Sequence, residues 1–240
     1  MKILKLGLAL LSSAILFSAC NSNKVGKTAL KNEMDSLSYA FGINIGHYFK
    51  TNKIEGMNPK AVAMALQYVF DSDSANDNMT NEQAVQFIQK FFQDREMKKA
   101  MKNDEAGKKF LEENAQKEGV ITDSTGLQYK VVTEGTGAMP KETDIVKVHY
   151  TGTLIDGTEF DSSRDGEPAQ FKLNGVIRGW TIGLQKMKVG SKYMLYIPAN
   201  LGYGMRQMGD KIEPNSVLIF EVELLEIVKE DLSKKPMGSK

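Results

Sequence analysis

In 240 residues the sequence holds one cysteine, Cys20, two histidines, His47 and His149, and a single tryptophan, Trp180. A lone cysteine excludes an internal disulfide, and so few imidazoles and thiols supply no His/Cys set for zinc or for thiol catalysis. Neither a metal nor a cofactor is therefore expected. Excess charge of one sign is missing too: 31 Lys plus Arg face 30 Asp plus Glu, a formal net charge of +1. No basic run is interleaved with aromatics, so nucleic acid is not an expected partner. Proline is scarce, 6 in all, with none from Thr80 to Lys117. What remains, 41% apolar and 25% charged residues, is the composition of a soluble globular protein.

Long hydrophobic runs are also lacking, except at the N-terminus. Lys2 and Lys5 precede an apolar stretch from Leu6 to Phe17, followed by Ser18-Ala19-Cys20. Basic, apolar and small-residue regions in that order make a secretory signal, too short to favour a permanent spanning helix. The end of the run resembles a bacterial lipobox, which implies that Cys20 becomes the lipidated first residue of the mature chain; a simple cleaved signal is the competing reading. Two or more acyl chains suffice for stable attachment. Asn21 directly after Cys20 is not the Asp associated with inner-membrane retention in some bacteria, which favours an outer membrane facing the periplasm. From Cys20 to Glu33 the chain is polar and small and reads as a tether. Its reach is on the order of 20 Å.

Helical spacing begins at Asp35, with Leu37, Ala40, Phe41, Asn44, Ile45 and Tyr48 at i, i+3, i+4. Asn58-Pro59 supplies an N-cap and a first-turn Pro for a second helix whose apolar face is Val62, Ala65, Leu66 and Val69. A capping box at Thr80-Asn81-Glu82-Gln83 opens a third. Unbroken to Lys117, that helix is about 55 Å long. Its middle, Gln93 to Lys109, is nearly all polar, which predicts an exposed connecting rod, weakened locally at Gly107. The helical stretch offers thin cover for its Phe, Tyr, Leu and Met side chains, and a second copy of the chain would bury the surplus. A monomeric helical spacer is the alternative.

From Thr125 the period becomes two. Leu127, Tyr129 and Val131 alternate with Gln128 and Lys130; Val146, Val148, Tyr150 and Leu154 alternate with Ile145, Lys147, His149, Thr151 and Thr153. Asp156-Gly157 is a hairpin-type turn, and later strands fall at Lys192 to Ile197 and Val217 to Ile227. A short helix is expected from Trp180 to Met187. The fold class is thus α+β, helices first, then an antiparallel sheet packed on one short helix. The charged stretch 229–240, with Pro236 and Gly238, reads as a disordered tail.

Val176-Ile177-Arg178-Gly179-Trp180 lies between Tyr150-Thr151-Gly152, Asp156-Gly157 and Phe160-Asp161-Ser162-Ser163 upstream, and Leu201-Gly202-Tyr203-Gly204 and Phe220 to Leu224 downstream. In that order and spacing the set resembles the FKBP family of peptidyl-prolyl isomerases, over roughly Thr125 to Val228. Asp35 to Gly42 is similar to the N-terminal region of Mip-like FKBPs, which implies an intertwined homodimer with a long third helix. The implied domains are a signal peptide (1–19), a lipid-anchored tether (20–33), a helical dimerisation region (34–120), an isomerase domain (121–228) and the tail (229–240).

The resemblance implies that Tyr150, Phe160, Val176, Ile177, Trp180, Ile212 and Phe220 line a proline pocket with Trp180 beneath the ring. It further implies that Tyr203 donates to a substrate carbonyl, that the Ile177 backbone N–H holds another, and that Asp161 polarises the reacting region. A strand-end Asp161 pairing with Arg164, or capping a turn, would look the same in sequence. Ala169 stands at a rim position that is often bulkier, Gly175 replaces a polar residue, and the segment from Met205 to Ile212 carries no aromatic. Macrolide inhibitors are implied as ligands of this pocket. The expected activity is cis-trans isomerisation of Xaa-Pro bonds in exported proteins. A client-holding chaperone with incidental isomerase activity, and an interaction protein using the domain as a scaffold, are the readings of other classes.

Overall fold

The computed structural model describes residues 29–52, 54–71 and 78–228. The expectations for the signal, Cys20, most of the tether and the tail lie outside the described residues. The chain divides into two compact units, meeting at Asn78 and Met79.

In the first unit, α1 (Glu33–Thr51) begins two residues before the expected Asp35, because Asn32 caps it by accepting a hydrogen bond from the Asp35 N–H at 2.8 Å. The second helix, α2 (Pro59–Asp71), is capped by Asn58, which accepts from the Lys60 N–H at 3.0 Å. Neither helix contains a buried residue. Phe41, Tyr48, Leu66 and Phe70 are all exposed, Phe70 to 83%. No helix among the described residues is long and apolar enough to cross a membrane.

The second unit opens with α3 (Asn81–Ala115), 35 residues and about 53 Å long. Both halves of the capping box form: the Gln83 N–H donates to Thr80 Oγ1 and the Thr80 N–H to Gln83 Oε1. The polar stretch from Gln93 to Lys109 is not an exposed rod throughout, which corrects the sequence reading. Ala100, Gly107 and Asn114 are buried, one every two turns. Small residues on that stripe bring the helix against the sheet domain: a Cβ added at Gly107 would lie 2.7 Å from Val217 Cγ2. Asn114 Nδ2 donates to Gln128 Oε1 at 2.9 Å, and Gln128 Nε2 to the Leu111 carbonyl at 2.8 Å. Gln128, expected on a solvated face, is buried by this cover. The packing is polar and small, so hydrophobic periodicity did not announce it.

Seven antiparallel strands follow: β1 (Val120–Thr122), β2 (Gln128–Thr133), β3 (Ile145–Thr153), β4 (Glu159–Ser162), β5 (Ala169–Lys172), β6 (Lys192–Ile197) and β7 (Leu218–Val228). Their order is β1-β2-β6-β7-β3-β4, with β5 pairing the first half of β3 beside the β4-paired half. Strands β3 and β7 pair along nearly their whole lengths, from Ile145 opposite Val228 to Thr153 opposite Ile219. Alternation is strict: Val146, Val148, Tyr150, Leu218, Phe220, Val222 and Leu224 face the core. On the outer face Glu221 and Glu223 each pair with both Arg164 and Lys192 at 2.7–3.1 Å. Arg164 is thereby taken away from Asp161. The Asp156-Gly157 turn forms as expected, Gly157 adopting φ +85°.

The short helix α4 (Arg178–Leu184) covers the core face, starting earlier and ending sooner than expected, although Met187 beyond it is buried. Gly179 and Gly183 let it lie directly on β6: a Cβ at Gly179 would overlap Ile197, and one at Gly183 would lie 2.8 Å from Leu195 Cδ1. Trp180, between them, is pressed into the sheet.

Candidate active site

Trp180 is 4% exposed and is boxed by rings set nearly perpendicular to its own: Tyr150 at 5.1 Å, Phe220 at 5.2 Å and Phe171 at 5.4 Å between centroids. Edge-to-face contacts of this kind add stability beyond area burial and fix ring orientation. Phe160 closes the set, edge-on to Phe220 at 5.4 Å. Gly152 makes the stack fit, since a Cβ there would lie 2.6 Å from Phe160 and 2.8 Å from Phe220.

Above these rings is a cavity of about 690 Å³. Every residue singled out for the pocket from sequence lines it: Tyr150, Phe160, Asp161, Val176, Ile177, Trp180, Tyr203, Ile212 and Phe220. They arrive from five places: β3, β4, the start of α4, the loop after β6, and β7. Phe171, Arg206 and Arg178 also line it. Sequence reasoning missed Phe171 and Arg206; alternation of Ala169 and Phe171 in a short run was the only local signal for the former. Ala169 is not on the cavity wall but in β5, opposite Val148, and packs on the core.

Asp161 is held from inside the sheet. The Tyr150 hydroxyl donates to Asp161 Oδ2 at 2.6 Å, a short charge-assisted bond. Burial, and then that bond, pushes the Tyr150 phenol well above its usual pKa, so it stays a donor. His149 points away by alternation and meets Ser163 Oγ at 3.1 Å. The Tyr203 hydroxyl and the Ile177 N–H that precedes α4 both stand at the cavity without a partner among the described residues. The buried Trp180 Nε1 also has no partner there.

Residues 137–225 match the family model described as FKBP-type peptidyl-prolyl cis-trans isomerase, and residues 34–131 match the domain amino-terminal to it. Relatives agree over most of the chain. A probable FKBP-type peptidyl-prolyl cis-trans isomerase FkpA of Neisseria meningitidis is 44% identical over 81% of this chain and 74% of its own.

The chain belongs to the FKBP-type peptidyl-prolyl cis-trans isomerase family.

The outer membrane protein MIP of Legionella longbeachae is 41% identical over 84% of this chain and 89% of that relative. Among solved structures, FkpA from Escherichia coli superposes with a TM-score of 0.63 at 39% identity, covering 83% of this chain and 98% of that one. The FKBP fold and isomerase activity expected from sequence therefore stand, with an N-terminal helical region, a long helix and an antiparallel sheet.

Proposed function

We propose that the cavity over Trp180 is where this FKBP rotates Xaa-Pro bonds, without covalent chemistry. The barrier to rotation is about 18–20 kcal/mol, because twisting removes the C–N double-bond character. A planar amide has a large dipole that water stabilises; a dry aromatic site favours the twisted, less dipolar form, and each ~1.4 kcal/mol so gained is tenfold in rate. The proline ring sits on Trp180, walled by Tyr150, Phe160, Val176, Ile177, Ile212 and Phe220. The Tyr203 hydroxyl and the Ile177 N–H hold the flanking carbonyls, and Asp161, kept in place by Tyr150, biases charge at the reacting bond. One observation carries the reading: aromatic walls converge on a single volume, with the Tyr203 hydroxyl and the Ile177 N–H unspent at its edge. Macrolides that mimic the twisted amide are the inhibitors this pocket would take.

The physiological setting belongs to the same proposal. Substrates are exported polypeptides, and the enzyme is held by a lipid on Cys20 at the outer membrane, facing the periplasm. The exposed apolar side chains of α1 and α2 pair with a second copy to make a homodimer. The same side chains support a second reading, in which the helical unit holds unfolded clients and isomerisation is incidental.

Exchange NMR on a short Xaa-Pro peptide tests the site, using the chain from Asn21 onward. Fast cis-trans exchange that falls in Tyr203→Phe and Trp180→Ala, both folded, supports it. A folded wild-type chain that gives no acceleration over buffer sinks it, and leaves client holding to be tested by aggregation suppression.

A further inference from the structure

The long helix α3 touches the sheet domain along much of its second half, with Gly107 against Val217 and the Phe110 ring 6.1 Å from that of Tyr196. Asn114, near its end, bonds Gln128 in β2. About three to four turns earlier, the helix grips the loop that carries Ile212. Asn103 Nδ2 donates to the Pro214 carbonyl at 2.9 Å and reaches Glu213 Oε2 at 3.4 Å. Lys99 Nζ lies 3.4 Å from Glu213 Oε1. Asn215, held at φ +58°, donates from Nδ2 to the Ala100 carbonyl at 3.4 Å. Its backbone N–H donates to the Gly204 carbonyl at 2.7 Å.

These contacts converge on the substrate site. Glu213 follows Ile212, a cavity wall, and Gly204 follows Tyr203, whose hydroxyl faces the cavity. From Met208 to Ile212 the loop is closed by its own bridge, the Met208 N–H bonding the Ile212 carbonyl at 2.9 Å and the reverse bond at 3.3 Å, and Lys211 Nζ ties it to β4 by donating to the Glu159 carbonyl at 2.7 Å. The turn at 213–216 is thus clamped between the helix on one side and the Tyr203-Gly204 segment on the other.

We infer that Asn103, with Lys99, is a positioning residue of the isomerase: α3 pre-orders the loop that carries Ile212 and, through Asn215, the Tyr203 segment. This rests on the proposed pocket. A loop that must be ordered at each binding event reduces apparent affinity by the fraction of time it is competent, and leaves the bound complex unchanged. Losing the brace therefore raises KM and spares kcat. Fold stability alone would not produce that split.

The test compares Asn103→Ala with Asn114→Ala in the full chain, purified in detergent. Readouts are KM and kcat for an Xaa-Pro peptide, thermal stability, and hydrogen exchange of the amides at 203–216. Asn103→Ala is expected to raise KM about fivefold, roughly the weight of one hydrogen bond, with kcat within about twofold. Exchange at 203–216 speeds up, and Asn103→Gln restores part of both effects. Asn114→Ala is expected to lower the melting temperature and leave KM and the loop's exchange unchanged. Should Asn103→Ala fail to fold, Lys99→Ala at the partly exposed end of the brace gives the same split at smaller size. Unchanged KM and loop exchange in Asn103→Ala overturn the inference while leaving an active wild type, and so the pocket reading, intact. An inactive wild type sinks the pocket reading, and loop exchange then still decides whether α3 orders the loop.

Discussion

The two units use similar side chains to opposite effect. In the sheet domain Trp180, Phe220, Leu195 and Leu224 are buried, and the rings of Tyr150, Phe160, Phe171, Trp180 and Phe220 each touch another. In α1 and α2 no residue is buried, and Phe41 and Phe70 stand 61% and 83% exposed. A sheet of seven strands with a covering helix closes a core within one chain; two short helices of 19 and 13 residues do not. Helical amphipathicity therefore specifies a surface to be covered, whereas alternation in a multi-stranded sheet specifies a core. The sheet domain closes its own core, and α1 and α2 leave their apolar side chains exposed.

Breaking the self-sufficient side should give the largest effect. Trp180→Ala removes the ring on which three others rest, at a cost of about 3–5 kcal/mol to the sheet domain. Urea unfolding followed by circular dichroism measures it, and peptide exchange should fall to the buffer rate. Phe41→Glu attacks the other side. Sedimentation should show dimer turning to monomer, while the unfolding of the sheet domain and its turnover of short peptides stay as in the wild type. Equal loss in both units would erase the contrast between them.

Finer substitutions sharpen it. Tyr203→Phe deletes a hydroxyl that bonds nothing among the described residues, so stability should not change, whereas kcat/KM should drop roughly tenfold, about one hydrogen bond to substrate. The smallest effect concerns the sheet's outer face. The hydrogen bond from Arg164, and then that from Lys192, hold the Glu223 carboxyl below its ordinary value of 4.5. A depressed folded-state pKa means stability present above the unfolded value and lost as pH falls through the folded one. Glu223→Gln should therefore cost a few tenths of a kcal/mol at neutral pH and almost nothing well below pH 4. Thermal melts across that range check the sign.

Much of the site was legible because its residues come in short, spaced clusters: Tyr150 to Gly152, Phe160 to Ser163, Val176 to Trp180, Tyr203-Gly204 and Phe220. Phe171 and Arg206 were not, since each sits in a segment without a motif and reaches the cavity only through pairing of β5 with β3 or through the loop after Tyr203. On paper Asp161 could pair with Arg164. The outer-face pull of Glu221 and Glu223 on Arg164 left it to Tyr150.

By itself, the sequence determined what depends on neighbours along the chain. The capping box at Thr80, the turn at Asp156-Gly157, the period-two face of β3 and the helical faces of α1 and α2 all follow from residues within a few positions of one another. Only the tertiary structure decided that α3 lies on the sheet domain. Its contact stripe is Ala100, Asn103, Gly107 and Asn114, small and polar residues that give no hydrophobic period. Their value comes from what faces them, the carbonyl of Pro214, the side chain of Val217 and the amide of Gln128, none of which is near them in sequence. Burial of a polar stripe is offset by distant partners such as those that Asn103 Nδ2 and Asn114 Nδ2 find, and that is a property of the folded chain.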